Sequence, residues 1–214
     1  FKEYPRDLEM DTKTALDAGA NAIWVPEITD IFPGGTEANF KLEAPQKLKA
    51  HLCGSIRKGH FDGVVTVVLR LLNLVKPQFL VLGEKDWQQL IILRKLVNDF
   101  ALPITIQNVP TFRDEDGLAS SSRNKYLNSL ERRKALNLPL ELGKAAKQFS
   151  KGKDLNLKKV KSSLEEKGLI VEYLDKVDPE LLSPTKDTVK LCLLAAAVRI
   201  GKTRLIDHTF LMTR

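Results

Sequence analysis

Three short segments of this 214-residue chain carry side chains suited to chemistry. In Gly83-Glu84-Lys85-Asp86 a glycine, a full positive charge and a carboxylate follow one another where a short apolar run gives way to a helical pattern. Ligands of open parallel sheets bind beyond the carboxyl ends of the strands, and a helix N-terminus there offers free N–H groups to phosphates. Lys85 adds charge to that position, and Asp86 suits either a ribose hydroxyl or a helix cap. Gln88 and Gln89 follow. Gln89 shares a helix face with Asp86, where an amide could hold a small polar substrate or complete a capping box. The second segment is Gly117-Leu118-Ala119-Ser120-Ser121-Ser122-Arg123-Asn124, three hydroxyls and a planar guanidinium fit to grip phosphate. The third is Arg57-Lys58-Gly59-His60-Phe61, in which His60 reads as a ligand, a base or, more simply, a structural group. Each motif taken alone reads more simply as a structural feature, a solvated turn in the first two cases. The sequence contains no metal-ligand cluster, no paired carboxylates at a telling spacing and no Walker-type loop.

The elements that must position these groups follow from periodicity. A helix is expected over residues 7–18, a short strand over 22–25, a loop over 31–35 and a short helix over 45–52 with Pro45 at its start. Residues 61–75 are apolar on most faces and predict a helix buried nearly all round, within the domain or at a subunit interface. A strand over 79–82, a helix over 87–100 and a strand over 104–109 make a parallel α/β unit. Beyond Pro110, residues 113–124 form a polar loop. Helices over 129–149 and 155–167 then precede strands over 169–177, 189–200 and 204–211. The fold class is therefore α/β, with residues 1–111 as a nucleotide-binding domain and 112–214 as a smaller α+β domain.

Composition sets the bounds. With 43% hydrophobic and 29% charged residues, the chain reads as a soluble globular protein. Its longest apolar run, 191–198, is too short to span a membrane. Cys53 and Cys192 fit no metal spacing and read as buried reduced thiols. A formal charge of +7 favours an anionic partner without choosing among nucleotide, small acid, nucleic acid or membrane.

Together the segments resemble pantothenate synthetase, the pantoate–β-alanine ligase family. The matching stretches are Asp30-Ile31-Phe32-Pro33, Arg57 through Phe61 into 63–68, and 72–77. They continue with Gly83-Glu84-Lys85-Asp86, Gln88-Gln89, Val109-Pro110-Thr111, 116–119, Ser121-Ser122-Arg123-Asn124, Tyr126-Leu127 and 203–207. The resemblance covers essentially the whole chain and implies a Rossmann-like sheet of the nucleotidyltransferase superfamily with an α+β lid. It implies condensation of pantoate with β-alanine through a pantoyl-adenylate, with ATP as substrate, Mg2+ as companion and AMP and pyrophosphate released. By the same match, Lys85 and Arg123 are catalytic. Gly83, Glu84, Lys85, Asp86, Phe112, Ser120, Ser121, Ser122 and Arg123 bind ATP, and Gln89 binds pantoate. A cytoplasmic homodimer, with no nucleic-acid or membrane partner, is expected.

The family's Pro-Thr-Met-Gly motif, its His-x-Gly-His signature and the following Asn and Gln are not in this sequence, and none of His51, His60 and His208 fits them. The expectation is a Rossmann-like domain truncated at its N-terminus and a chain inactive by itself. Residues 205–214 resemble the cyanobacterial form, in which a cytidylate kinase domain follows. Competing readings are another small-acid adenylating nucleotidyltransferase, a non-catalytic interaction remnant, and a nucleic-acid module built on the Lys-rich stretch 144–161. That stretch reads more simply as a solvated helical face.

Overall fold

The computed structural model describes residues 7–185 and 191–213, which fall into two compact units, Phe1–Phe40 and Lys41–Arg214. In the first unit, helix α1 (Leu8–Asp17) is capped by Asp7, whose side chain accepts from the Met10 N–H at 3.0 Å. It ends at Gly19 in a left-handed conformation. The strand expected at 22–25 does not form. A strand persists only where a neighbouring backbone takes its N–H and C=O groups. Here Ile23, Trp24 and Val25 stay between 39% and 57% exposed with no ladder partner. A single turn, α2 (Ile28–Ile31), follows instead, so Ile31 ends a helix rather than opening a loop.

In the second unit the helix expected at 45–52 is two separate turns, α3 (Gln46–Lys49) and α4 (Leu52–Ile56). They pack closely at Gly54, where any side chain would run into the Lys49 carbonyl. Gln88 secures this pair. Its amide donates to the Leu48 carbonyl at 2.8 Å and the His51 carbonyl at 2.9 Å and accepts from the Gly54 N–H at 3.3 Å. Helix α5 (His60–Val75) fully buries only Phe61, Val65 and Leu72. The expectation of burial nearly all round is therefore corrected within this chain: most of α5 is only half-buried, and Leu74 and Val75 in its last turn are half exposed.

Strand β1 (Phe79–Gly83) pairs in parallel with β2 (Thr105–Val109), with Gly83 opposite Val109 at the carboxyl ends. Helix α6 (Trp87–Asp99) connects them and buries Leu90, Ile91, Ile92, Leu93, Leu96 and Val97. The helix expected at 129–149 is broken into α7 (Ser129–Ala135) and α8 (Asn137–Phe149). Pro139 has no N–H to return to Ala135, which accounts for the break. After α9 (Leu157–Glu166) come three antiparallel strands in the order β3 (Ile170–Val177), β4 (Leu191–Ile200) and β5 (Thr203–Met212). Of the strand expected at 189–200, Val189 and Lys190 lie outside the described residues.

The middle strand β4 serves two cores. Cys192, Leu194, Ala196, Val198 and Ile200 pack with Leu138, Leu142, Phe149 and Leu164 of the helices behind the sheet. Leu193 and Ala195 point the other way, into a cluster with Leu52, Phe61, Val65, Ile92 and Leu96. The alternation follows from the two-residue period of a strand. Among the described residues no helix is long and apolar enough to cross a membrane.

The two adjacent glutamines should separate in a stability assay. Gln88→Leu strands three buried backbone groups and is expected to cost roughly 2–3 kcal/mol. Gln89→Leu, on a partly exposed face, should cost less than about 0.5 kcal/mol. Urea denaturation of both variants measures the difference, and equal midpoints would remove the role given to Gln88.

Candidate functional site

Gly83 closes β1, and a single 3-10 turn over Glu84–Asp86 leads into α6. Gly83 has φ −75°, open to any residue, so the backbone turn does not require glycine. A side chain here would meet no protein atom, and the missing Cβ leaves open space at the end of the strand. Asp86 stands at the cap position of α6 but makes no side-chain cap, so the Asp86–Gln89 capping box does not form. Its carboxylate instead accepts from Lys85 Nζ at 3.2 Å. Glu84 accepts from Asn108 of β2, whose own amide oxygen accepts from Arg94 at 2.9 Å.

The turn is bedded on β5. The Trp87 indole donates to the Pro179 carbonyl at 2.7 Å, and its ring lies 5.0 Å from Phe210 and 5.9 Å from His208. His208 lies beside the Lys85 backbone, and burial pushes its pKa down. No local pattern in the sequence marks this histidine. Its role lies in a strand more than 120 residues from the turn it supports, about the separation of Lys85 and His208 in the chain.

The serine-rich segment is held just as firmly. Gly117 adopts φ +91°, which favours glycine, and closes a tight turn between Arg113 and Ala119. Arg113 grips Asp207 of β5 through two bonds, 2.8 and 3.0 Å, with the Asp207 carboxylate almost wholly buried. Asp114 and Asp116 share Arg132 at 2.7–2.8 Å, and those bonds hold both carboxyls below their usual range. Asp114 also takes Ser120 and the Asn124 amide. Ser121 Oγ accepts from the Arg123 N–H at 3.3 Å and caps a 3-10 turn over Ser122–Tyr126. Ser122 is exposed and Arg123 partly so. Phe112 is 76% exposed, and its carbonyl takes the Ser120 N–H at 2.9 Å. Asn124 is buried, and its Oδ1 has no partner among the described residues.

The third segment joins these two. Arg57 Nη1 stands 2.7 Å from His60 Nε2. A guanidinium can only donate, so Nε2 must be a bare acceptor and His60 a neutral ring with its proton on Nδ1. Burial first, then the charge of Arg57, takes the His60 pKa down to about 4. Asp86, Arg123 and Arg204 all act electrostatically on both Arg57 and His60. The turn after β1 and the serine-rich loop are therefore near enough for their charges to act at the Arg57 segment. Arg204 enters from β5, held by Glu172 at 2.6 Å, with Nη2 3.4 Å from Cys53 Sγ. Arg57 also lines a cavity of about 230 Å3 with Lys49, Gly54, Lys58, Phe61 and Asp62. Lys49 there is already paired with Asp62 at 2.7 Å. Neither Arg57 nor Arg123 forms an ion pair with a carboxylate among the described residues. Sequence reasoning set Arg57 and His60 aside. The signal available was two cationic or basic groups three residues apart ahead of an apolar helix.

Among the described residues no three His, Cys, Asp or Glu side chains converge in a way that could hold a metal ion. Cys53 and Cys192 are buried and form no disulfide among the described residues.

The family model for pantoate-beta-alanine ligase matches residues 1–210. The chain is 56% identical over 215 residues to a bifunctional pantoate ligase/cytidylate kinase of Prochlorococcus marinus, covering 100% of this chain and 41% of that protein. It thus spans less than half the length of the curated relatives it matches. Among solved structures it is similar to pantothenate synthetase from Thermus thermophilus, with TM-score 0.87, 37% identity, and coverage of 97% of this chain and 75% of that one. It is also similar to pantoate-beta-alanine ligase from Francisella tularensis, whose structure is complexed with beta-gamma ATP and beta-alanine, with TM-score 0.80, 33% identity and coverage of 97% and 71%. With a match across nearly its whole length and a common fold with solved members, the chain belongs to the pantoate-beta-alanine ligase family.

Proposed function

We propose that this chain contributes part of the site for ATP-dependent condensation of pantoate with β-alanine, a reaction carried out by the intact protein and not by these 214 residues alone. The observation that carries the reading is that Asp86, beside Lys85 in the turn at the carboxyl end of β1, and Arg123 of the serine-rich loop both act electrostatically on Arg57, with Arg123 and Arg57 in no ion pair among the described residues. Such a site suits anionic reactants. In the first half-reaction the pantoate carboxylate attacks the α-phosphorus of ATP, the bond to pyrophosphate breaks, and a mixed anhydride with AMP forms. In the second, the amine of β-alanine attacks the acyl carbon and AMP leaves with its electron pair. The protein's part is to position the reactants and stabilise phosphoryl charge.

In this reading Lys85 and Arg123 are catalytic. Lys85 leaves Asp86 for the phosphates and follows charge toward the departing pyrophosphate. Gly83 gives the nucleotide close access to backbone, and Glu84 and Asp86 flank it. Ser120, Ser121, Ser122 and Arg123 close over the phosphates, with Phe112 beside the base. Gln89, with its side chain uncommitted to a cap, takes pantoate. His60 is neutral with its lone pair engaged, and so is not the base that deprotonates the incoming amine. The donor set does not form a protein cage for Mg2+; the ion would be carried on the nucleotide's phosphates, where it keeps most of its waters. Residues up to Thr111 act as the nucleotide-binding part and those from Phe112 as the lid. A reducing, cytoplasmic setting accords with two buried cysteines that form no disulfide among the described residues.

A homodimer is part of the proposal. The half-exposed Leu74 and Val75 extend an apolar helix, α5, whose outer face the chain itself leaves partly open. Sedimentation velocity at micromolar concentration is expected to return a dimer, and monomer alone would overturn this.

Two further outcomes follow from the site. In the full-length protein, Lys85→Ala should slow single-turnover formation of pantoyl-adenylate by roughly a hundred- to a thousand-fold, about 2.7–4 kcal/mol, by analogy with loss of one transition-state donor. Its melting temperature should be unchanged. Adenylate formed at near wild-type rate would reject the assignment, and formation with another small acid but not pantoate would favour a sister adenylating enzyme.

Acid should loosen the serine-rich loop. Arg132 depresses the Asp114 pKa, so the stabilisation is present above the unfolded value near 3.9 and is lost as pH falls through the lower folded value. Protection of the 121–124 amides, measured by hydrogen exchange and corrected for intrinsic rate, should hold at pH 7 and fall below about pH 4. Arg132→Gln should reproduce the loss at pH 7; full protection in that variant would contradict the account.

A further inference from the structure

We propose that Arg57 holds the carboxylate of the amine substrate, with His60 as the neutral group that aims it. The inference rests on the function proposed above, and it concerns the one anionic group for which that reading names no partner. The triphosphate has Lys85 and the serine-rich loop. The acid substrate's carboxylate is consumed when it becomes an acyl-adenylate. The carboxylate of β-alanine persists through the whole reaction and needs a fixed cation.

Arg57 has the properties such a cation requires. Asp86 of the turn after β1 and Arg123 of the serine-rich loop both act on it electrostatically, and it opens on a cavity. No carboxylate among the described residues pairs with it. One Nη1 hydrogen is directed at His60 Nε2 at 2.7 Å, which fixes the plane of the guanidinium and leaves its remaining donors for a ligand. A neutral acceptor is suited to this work, because an acidic one would neutralise the charge the substrate needs. Of the other nearby cations, Lys58 lines the same cavity but is exposed and lacks a planar fork, and two more are already engaged. Arg204 is bound to Glu172 and lies against Cys53, and Lys49 is bound to Asp62. Arg presents a planar fork that matches a carboxylate with two parallel bonds.

The test separates the two half-reactions in the full-length protein. Arg57→Gln and Arg57→Lys are compared with wild type for pantoyl-adenylate formation from ATP and pantoate, and then for consumption of the preformed adenylate by β-alanine or by propylamine, which lacks the carboxylate. Arg57→Gln is expected to raise the β-alanine KM by about 10- to 100-fold and to erase the preference for β-alanine over propylamine. Arg57→Lys, which keeps charge without the fork, should recover part of the preference. A melting temperature equal to that of wild type reports an intact fold, and adenylate formation is expected to fall less than the step with β-alanine. If Arg57→Gln instead slows adenylate formation and leaves the amine preference unchanged, Arg57 serves the first step and the proposal is overturned. Loss of both would count against it equally unless Arg57→Lys restores adenylation while leaving the amine preference impaired. If wild type forms no adenylate at all, it is the proposed function that fails, a result distinct from either.

Discussion

The arrangement of β4 is the constraint on which the remainder of the second unit depends. A central strand packed on both faces must be apolar at every position, and 192–198 is: every residue there is buried. The run Ala195-Ala196-Ala197 keeps both faces shallow, so helices can approach the sheet from either side. One face seats α8 and α9, and the other seats side chains from α4, α5 and α6. Two regions far apart in sequence thereby share one strand as a common wall. A charge at Leu193 or Leu194 would not merely weaken one core. It would be buried unpaired against one of the two, at a cost of several kcal/mol, and would loosen the elements that carry Arg57 or the loop after Arg113.

With β4 fixed, its neighbour β5 acts as a ruler. Successive residues of a strand face opposite ways, and same-face residues recur about every 6.6–6.8 Å. Arg204 reaches Cys53 beside the Arg57 segment, and His208 and Phe210, at even spacing further along, bed Trp87 and the turn at Lys85. Asp207, on the alternate parity, holds Arg113 and with it the turn before the serine-rich loop. Three pieces of the candidate site are thus spaced by the pitch of one strand. A one-residue slip of β5 would exchange these faces and dismantle all three attachments together.

Much of this was legible in the sequence because it is local. Periodicity located α5, α6 and the strands β1, β2 and β5 to within two residues, and the glycine, lysine and serine patterns marked two loops that the fold brings to the same region. The failures have physical causes. The run at 22–25 has strand composition but no neighbour to pair with, and composition cannot supply one. The break at Leu136 depends on Pro139 standing at the third position after it, a detail that the amphipathic pattern of 129–149 conceals. Gln88 and Gln89 are indistinguishable as letters. Only the packing of α3 and α4 decides that Gln88 is a buried tie between them while Gln89 stays partly exposed. The pairing of Arg113 with Asp207, and of Arg204 with Glu172 and Cys53, spans up to 151 residues, and no local rule reaches that far.

The choice of cations at the site has its own logic. Grouping like charges costs free energy, and Arg57 registers that cost: burial and the nearby Arg204 and Arg123 hold its pKa below the usual value, although Cys53 and Asp86 act against this. A lysine under the same pressure would lose its proton more readily and cease to bind anions, because its reference pKa starts about two or more units lower. Arginine stays charged. A histidine in the cluster goes the other way and becomes neutral, as His60 does, which makes it useful as an acceptor for Arg57. The same field that would repel a second free ammonium is relieved when an anionic group enters.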